Sequence, residues 1–250
     1  MNRKINIKRI LLYAAIVLLA AITGFFIWAE TPLQATSEAE AALQSDARVI
    51  ITQDAWITFY PAQETSDTAL ILYPGGRVEA IAYAPPARAI AEQGYLVILP
   101  PMPLNFAFLN ANVADDIIAA HPEIRHWVIG GHSLGGAMAA NYVYNHPGAV
   151  DGLVLWASYP AENNDLTDRE SLLVLSIYGT NDGQAAKLAA ADDRLPPQTR
   201  WAVIEGGNHA QFGYYGRQSG DGEATISHEQ QQEQIINATL ALLHKVAEEQ

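Results

Sequence analysis

The chain has 250 residues, half of them apolar, and its 27 acidic residues outnumber its 14 basic ones. It contains no cysteine, which excludes disulfides, thiol nucleophiles, thiolate metal sites and an acylated-cysteine lipoprotein anchor. Four of the 14 basic residues lie within the first nine positions, so the rest of the chain carries 10 bases against 27 acids, a formal charge of −17. This charge disfavours nucleic acid as a partner and opposes close docking on an anionic membrane surface.

The first predicted element is an apolar helix. Residues 10–29 carry no charged side chain, and as a helix they would extend roughly 30 Å, the thickness of the hydrocarbon core of a bilayer. The basic residues before them are Arg3, Lys4, Lys8 and Arg9. Because basic flanks stay in the cytoplasm, we expect residues 1–29 to anchor the protein with its remaining chain outside the cytoplasm. A cleaved signal peptide, which would leave a secreted protein, is the alternative. Residues 30–46 would serve as a spacer or a short helix between membrane and domain.

Residues 47–250 are expected to form one α/β domain, because about 200 residues of low charged fraction suit a sheet buried on both faces. Apolar runs alternate with helical stretches, which is typical of a doubly wound, mostly parallel sheet, here with antiparallel strands at its start. The predicted strands cover residues near 48–53, 55–60, 69–73, 95–99, 127–130, 152–156, 172–178 and 199–205. The predicted helices cover residues near 84–93, 112–120, 134–145, 184–193 and 227–248.

The loop after the third predicted strand is the first segment that indicates chemistry. It reads Pro74-Gly75-Gly76-Arg77. An oxyanion hole needs two backbone N–H donors at the carboxyl edge of a sheet, and we expect Gly76 to supply one of them, with Arg77 as the next candidate. The alternative is that Pro-Gly-Gly is only a turn.

A second loop at the same edge, residues 102–108, is apolar. Pro101 and Pro103 exclude it from a helix interior or a central strand. Apolar side chains on such a loop are candidates for a pocket that binds the acyl or alcohol part of a substrate. The expected pocket residues, including aromatics from later segments, are Met102, Leu104, Phe106, Trp156, Tyr159 and Tyr214. Each aromatic could instead fill the core.

Residues Gly131-His132-Ser133-Leu134-Gly135 lie where a buried strand runs into a helix. This context predicts a nucleophile elbow, in which a tight turn exposes the hydroxyl of Ser133. Glycines flank the serine because a Cβ at either position would collide with the neighbouring strand and helix. The N–H of Leu134, at the start of the helix, is the other expected oxyanion donor. His132 is expected to pack beside the nucleophile.

A base and an orienting acid follow the serine in the chain order Ser, Asp, His. Asp182 comes just after the predicted strand 172–178, and His209 lies in a glycine-rich loop after the strand 199–205. Glu205 is the alternative acid. Residues 157–171 show no helical pattern, so we expect little or no cap and an open site. No histidine pair has the spacing of a metal site, and no cofactor is expected.

These motifs and their order resemble the α/β-hydrolase family over about residues 47–249, and more narrowly the small bacterial α/β-hydrolase fold-5 domain proteins that carry Gly-Gly-His-Ser-Leu-Gly-Gly. The resemblance leaves the substrate undefined, but the three side chains and the oxyanion donors predict a serine hydrolase that forms an acyl-enzyme with a carboxylic ester or related small acyl substrate. One departure is that Tyr73-Pro74 stands where many relatives have a histidine before the oxyanion glycines. An amidase, a lactonase, a carbon–carbon hydrolase and a non-catalytic membrane-tethered binding domain are the alternatives. The oligomeric state is left open.

Overall fold

The computed structural model describes residues 7–63 and 66–249, so Arg3 and Lys4 of the predicted basic flank lie outside it. Within these residues, one sheet has the strand order β1-β2-β4-β3-β5-β6-β7-β8. The strands are β1 (Val49–Gln53), β2 (Ile57–Pro61), β3 (Thr68–Tyr73), β4 (Leu96–Leu99), β5 (His126–His132), β6 (Gly152–Trp156), β7 (Leu173–Gly179) and β8 (Arg200–Ile204). Strand β2 pairs antiparallel with β1 and β4, and the other pairs are parallel. The prediction of a mostly parallel sheet that begins with antiparallel strands is confirmed.

Helices cover both faces of this sheet. The described residues contain α1 (Ile7–Ala29), α2 (Ser37–Ala41), α3 (Ala84–Ala91), α4 (Val113–Ala120), α5 (Leu134–Asn145), α6 (Ala185–Ala189) and α7 (His228–Glu249), of which α3, α4, α5 and α7 pack on the sheet. Successive side chains of a strand point to opposite faces, and Leu70 and Leu72 of β3 pack with α3 and α7. Ala69 and Ile71 pack with α4 and α5 on the other face. The sheet is therefore buried between two helical layers.

The predicted helix over residues 184–193 is wrong in its second half. Helix α6 ends at Ala189, and a 3₁₀ turn over Ala191–Arg194 follows. The chain is held in this turn by tertiary contacts, since Arg194 donates to the carbonyl of Pro160 at 3.0 Å and accepts from the N–H of Leu166. Local helix propensity is overridden by such contacts.

Residues 157–172, between β6 and β7, contain neither helix nor strand. This segment is therefore a loop, as the sequence predicts, and it places no helical cap over the carboxyl edge of the sheet.

The segment between α1 and β1 packs on the domain. The N–H of Leu33 donates to the carbonyl of Arg77 at 2.7 Å, and the N–H of Ala35 donates to the carboxylate of Glu79 at 2.8 Å. Ala39 of α2 is fully buried. Residues 33–39 therefore follow the surface of the domain closely, where the sequence predicted only a spacer or a short helix.

Helix α1 is the one helix, among the residues that the structure describes, that is long and apolar enough to cross a membrane. This interpretation rests on the length and composition of the helix, and a signal sequence shares both properties. No residue in its most apolar stretch is buried against the domain.

Candidate active site

The turn between β5 and α5 holds Ser133 at the carboxyl edge of the sheet. Ser133 has φ +52° and ψ −120°, a backbone conformation that residues with a side chain rarely adopt. A Cβ on Gly131 would lie 2.5 Å from the carbonyl carbon of Gly135, and one on Gly135 would collide with the carbonyl oxygens of Tyr73 and Pro74. Both glycines are thus required for this close approach. The geometry is that of the predicted nucleophile elbow, and Ser133 is partly exposed.

Asp182 and His209 form a buried pair at the same edge. Asp182 follows β7, His209 follows β8, and Nδ1 of the imidazole lies 2.7 Å from Oδ2 of the carboxylate. Since an ionised carboxylate only accepts hydrogen bonds, Nδ1 carries the proton and Nε2 is left as an acceptor. Nε2 is buried and has no hydrogen-bond partner among the residues that the structure describes. This nitrogen can take a proton from a hydroxyl group that approaches it.

The loop that carries His209 is held by two residues that the sequence analysis missed. The carboxylate of Asp221 accepts from the N–H groups of His209 and Ala210, at 3.1 and 2.7 Å. The side-chain amide of Gln231 on α7 accepts from the N–H of Asn208 at 3.0 Å and donates to its carbonyl at 2.7 Å. Asp221 lies in a polar loop with no distinctive pattern. Gln231 is fully buried on the inner face of α7. A buried polar side chain needs hydrogen-bond partners, so a glutamine among the inward-facing positions of this helix was the signal in the sequence for its role.

His132, the residue before the nucleophile, packs against the base. Its ring lies 4.5 Å from the ring of His209 and is stacked on Phe212 at 5.6 Å. Its Nδ1 lies 2.8 Å from the hydroxyl of Tyr83. Burial lowers the pKa of His132 well below its ordinary value, and the neighbouring His209 lowers it further. His132 is therefore neutral near pH 7.

The glycine loop after β3 lies against the elbow. A Cβ on Gly76 would be 3.0 Å from Cδ2 of Leu134, so the two predicted oxyanion donors are neighbours. Leu134 is the first residue of α5, where a backbone N–H has no acceptor within the helix. Arg77, the second candidate in this loop, is wrong as a donor because its N–H already donates to the carbonyl of Asn105 at 2.7 Å.

Three of the expected pocket residues lie beside this loop. Met102 and Phe106 are buried and Leu104 is half-buried, on the segment that Asn105 joins to Arg77. The hydrogen bond between Arg77 and Asn105 holds their segment against the glycine loop, and their role in a pocket stays a prediction.

Of the other three expected pocket residues, one belongs to the core. Trp156 is 0% exposed and its Nε1–H donates to Thr239 of α7 at 3.2 Å, so it belongs to the core and its assignment to the pocket is wrong. Tyr159 lies against the guanidinium of Arg194, and the ring of Tyr214 lies 4.2 Å from that of His228 on α7.

A cavity of about 560 Å³ lies behind the loop that carries His209, bounded by Thr36, Asn208, Gln211 and Asp221 among others. Neither Ser133 nor the imidazole of His209 lines it. Among residues 7–63 and 66–249, no group of three or more His, Asp or Glu side chains could hold a metal ion.

Comparison with known proteins agrees with this geometry. A sequence model of the alpha/beta hydrolase family matches residues 69–233, which include the elbow, Asp182 and His209. No curated protein matches the chain.

Solved structures share the fold at low sequence identity. A predicted CIB-like hydrolase from Thermoplasma acidophilum is 16% identical over 79% of this chain and 99% of its own, with a TM-score of 0.56. A carboxylesterase from Mesorhizobium loti is 19% identical over 65% of this chain and 91% of its own, with a TM-score of 0.51. An alpha/beta hydrolase from the metagenome of Lake Arreo, Spain, is 17% identical over 83% of this chain and 86% of its own, with a TM-score of 0.59.

Proposed function

Because the chain belongs to the alpha/beta hydrolase family, we propose that it is a serine hydrolase that cleaves a carboxylic ester through an acyl-enzyme. The observation that carries this proposal is the buried contact of 2.7 Å between His209 and Asp182, which leaves Nε2 of the imidazole without a partner among the described residues. A serine becomes a nucleophile when a positioned base accepts its proton, and the base needs a third group that fixes its tautomer. The ring contact between His132 and His209 supports the proximity of base and elbow.

The proposed reaction has two stages. The hydroxyl oxygen of Ser133 adds to the ester carbonyl carbon as its proton moves to Nε2 of His209, and the N–H groups of Gly76 and Leu134 stabilise the resulting oxyanion. The bond from this carbon to the alcohol oxygen then breaks, and His209 returns the proton to the alcohol as it leaves.

In the second stage water adds to the acyl carbon and gives a proton to His209. The bond to Ser133 breaks, the serine oxygen recovers that proton, and the carboxylic acid is released. Asp182 holds the imidazole with its proton on Nδ1 throughout.

An ester is the substrate class that the comparisons support best, since one similar structure is a carboxylesterase. The open elbow also suits it, because residues 157–172 form no cap and leave Ser133 accessible. An amide or lactone would react on the same three side chains.

We propose further that α1 is an uncleaved membrane anchor and that the catalytic domain lies outside the cytoplasm. The apolar length of α1 and the basic residues Lys8 and Arg9 at its start support this arrangement. The burial of Ala29 at its other end supports retention of the helix, because cleavage after α1 would remove a residue that packs against the domain.

Ester hydrolysis by the purified full-length chain in detergent tests the catalytic proposal. Ser133→Ala is expected to lower turnover of p-nitrophenyl butyrate by about 10³-fold or more. Ser171→Ala, which changes an exposed serine in the loop before β7, is the matched control and is expected to keep wild-type turnover. Equal activity of both variants would contradict the proposal.

A further inference from the structure

The end of helix α1 is joined to the glycine loop of the active site through Arg77. The guanidinium of Arg77 donates to the carbonyl of Trp28 at 3.2 Å and to that of Thr31 at 2.6 Å. It also lies 4.0 Å from the centre of the Trp28 ring, a cation–π contact. Ala29 is 0% exposed. The last turn of α1 is therefore fixed beside the residue that follows Gly76.

Asn105 completes this junction on the other side. Its carbonyl accepts from the N–H of Arg77 at 2.7 Å, and its side-chain amide donates to the carbonyl of Ala29 at 3.4 Å. Beyond the helix, the N–H of Leu33 continues the contact by donating to the carbonyl of Arg77. Hydrogen bonds thus join the end of α1 to the loop of Arg77 and to the loop of Asn105. The orientation of the helix axis therefore fixes the orientation of the carboxyl edge of the sheet.

Aromatic rings run without interruption from the helix to the apolar loop. The ring of Phe25 lies 6.1 Å from that of Trp28, Trp28 lies 5.8 Å from Phe106, and Phe106 lies 5.1 Å from Phe108. Phe108 is 51% exposed and Leu109 is 47% exposed. Tryptophan at the end of a membrane helix lies at the interface between hydrocarbon and head groups. The exposed apolar surface therefore continues from the helix onto the catalytic domain at Phe108 and Leu109.

We infer that the entrance to the active site faces the membrane and that the substrate is the acyl ester of an amphiphile that resides in the bilayer. This inference rests on the proposed serine hydrolase and on the proposed anchor. The acyl chain would stay in the hydrocarbon layer beside Phe108 and Leu109, while the more polar ester group reaches Ser133 across Gly76. Burial of exposed apolar side chains in a bilayer is favourable, and an acyl chain that stays in the bilayer needs no deep pocket in the protein.

The charge of the domain sets which lipid surface suits it. The chain after its first nine residues has a formal charge of −17, which anionic head groups would repel. Zwitterionic phosphatidylcholine vesicles are therefore the appropriate host membrane.

Membrane contact is tested without reference to catalysis. The chain has no cysteine, so Phe108→Cys gives one site for an environment-sensitive fluorophore in the full-length protein reconstituted into phosphatidylcholine vesicles. Val203→Cys, at a residue 49% exposed on β8, is the matched control. We expect lipids spin-labelled near the head group to quench the label at position 108 and not the label at 203. Equal quenching at the two positions would overturn the inference.

The substrate class is tested with two esters that share a leaving group, methylumbelliferyl oleate embedded in the vesicles and methylumbelliferyl butyrate in solution. Phe108→Ser with Leu109→Ser is expected to lower the ratio of oleate to butyrate turnover about tenfold. Ile50→Ser with Val203→Ser, which changes two similarly exposed residues on β1 and β8, should leave the ratio unchanged.

The outcomes of the two tests separate the two proposals. An unchanged ratio in the Phe108 and Leu109 variant would overturn the membrane-derived substrate while hydrolysis of butyrate upholds the serine hydrolase. A wild-type chain that hydrolyses neither ester would contradict the proposed function, and with it the inferred substrate. The quenching result would still decide whether position 108 meets the membrane.

Discussion

The hydroxyl of Tyr83 lies 2.8 Å from Nδ1 of His132, the residue before the elbow serine. The same hydroxyl accepts from the N–H of Gly75 at 3.0 Å, so it bridges Gly75 and His132. A Cβ on Gly75 would lie 2.9 Å from both of these side-chain atoms, which explains the glycine at that position. This buried bridge joins the glycine loop to the nucleophile turn.

Tyr83→Phe is predicted to weaken both the fold and the active site. The change leaves the N–H of Gly75 and Nδ1 of His132 unpaired in a buried place, which costs about 1–3 kcal/mol of unfolding free energy. Because the glycine loop is then held less firmly, we expect ester turnover to fall by about tenfold. Tyr215→Phe, which removes a hydroxyl that donates to Gln218 at 3.1 Å, is the control. Denaturant titration and ester kinetics check both expectations, and equal effects of the two variants would refute them.

His132 is predicted to make the protein less stable in acid. Its pKa in the folded chain lies well below that of a free histidine, mainly because it is buried. As pH falls below about 6.5 the unfolded chain binds a proton that the folded chain does not, so stability is lost on acidification and is unaffected above that pH. His132→Gln keeps a side chain that can hydrogen-bond to Tyr83 and removes the titrating group.

The measurement for this prediction is the melting temperature between about pH 7.5 and 5. We expect it to fall less in His132→Gln than in the wild type. His228→Gln is the control. Burial also lowers the pKa of His228, but Glu229 opposes the shift, so this variant should reduce the acid sensitivity less than His132→Gln does. An equally steep fall in His132→Gln and the wild type would show that His132 does not govern this acid sensitivity.

Asp182, and not Glu205, is predicted to orient the base. Asp182→Asn should lower the turnover number by about 10⁴-fold, because an amide no longer fixes the productive tautomer of His209. Glu205 has an exposed side chain at the end of β8, and Glu205→Gln should change turnover by less than about twofold. Steady-state kinetics with a soluble ester measures both, and the reverse order of effects would identify Glu205 as the orienting acid.

Helix α1 is predicted to stay attached to the mature protein. Fully buried Ala29 and the contacts of Trp28 with Arg77 would be lost on cleavage. We expect the intact chain to sediment with membranes, and its mass to include residues 1–29. Recovery of a soluble chain that begins after residue 29 would instead support the signal-peptide alternative.

Most of the scaffold could be predicted from the sequence because buried parallel strands are continuous apolar runs. The apolar run over residues 69–73 and the elbow glycines around Ser133 are local signals of this kind. The position of Trp156 could not be predicted, since all five residues of β6 are buried and the pattern does not tell which face of the sheet a side chain meets. Its partner Thr239 lies 83 positions away.

The supporting contacts of the site are equally distant along the chain. Tyr83 reaches His132 across 49 positions, and Gln231 reaches Asn208 across 23. Such pairs form only when the fold brings their segments together, so local patterns carry no signal for them. The order Ser133, Asp182, His209 could be predicted because each residue lies within five positions after the end of a strand, and those strand ends can be read from the sequence.

Labelling of the full-length protein with a fluorophosphonate, followed by peptide mass spectrometry, tests the central proposal most directly. We predict one phosphonyl adduct, on the hydroxyl oxygen of Ser133, which is absent from Ser133→Ala and greatly slowed in His209→Gln. An adduct on another residue, or undiminished labelling of the Ser133→Ala protein, would contradict the assignment of Ser133 as the nucleophile.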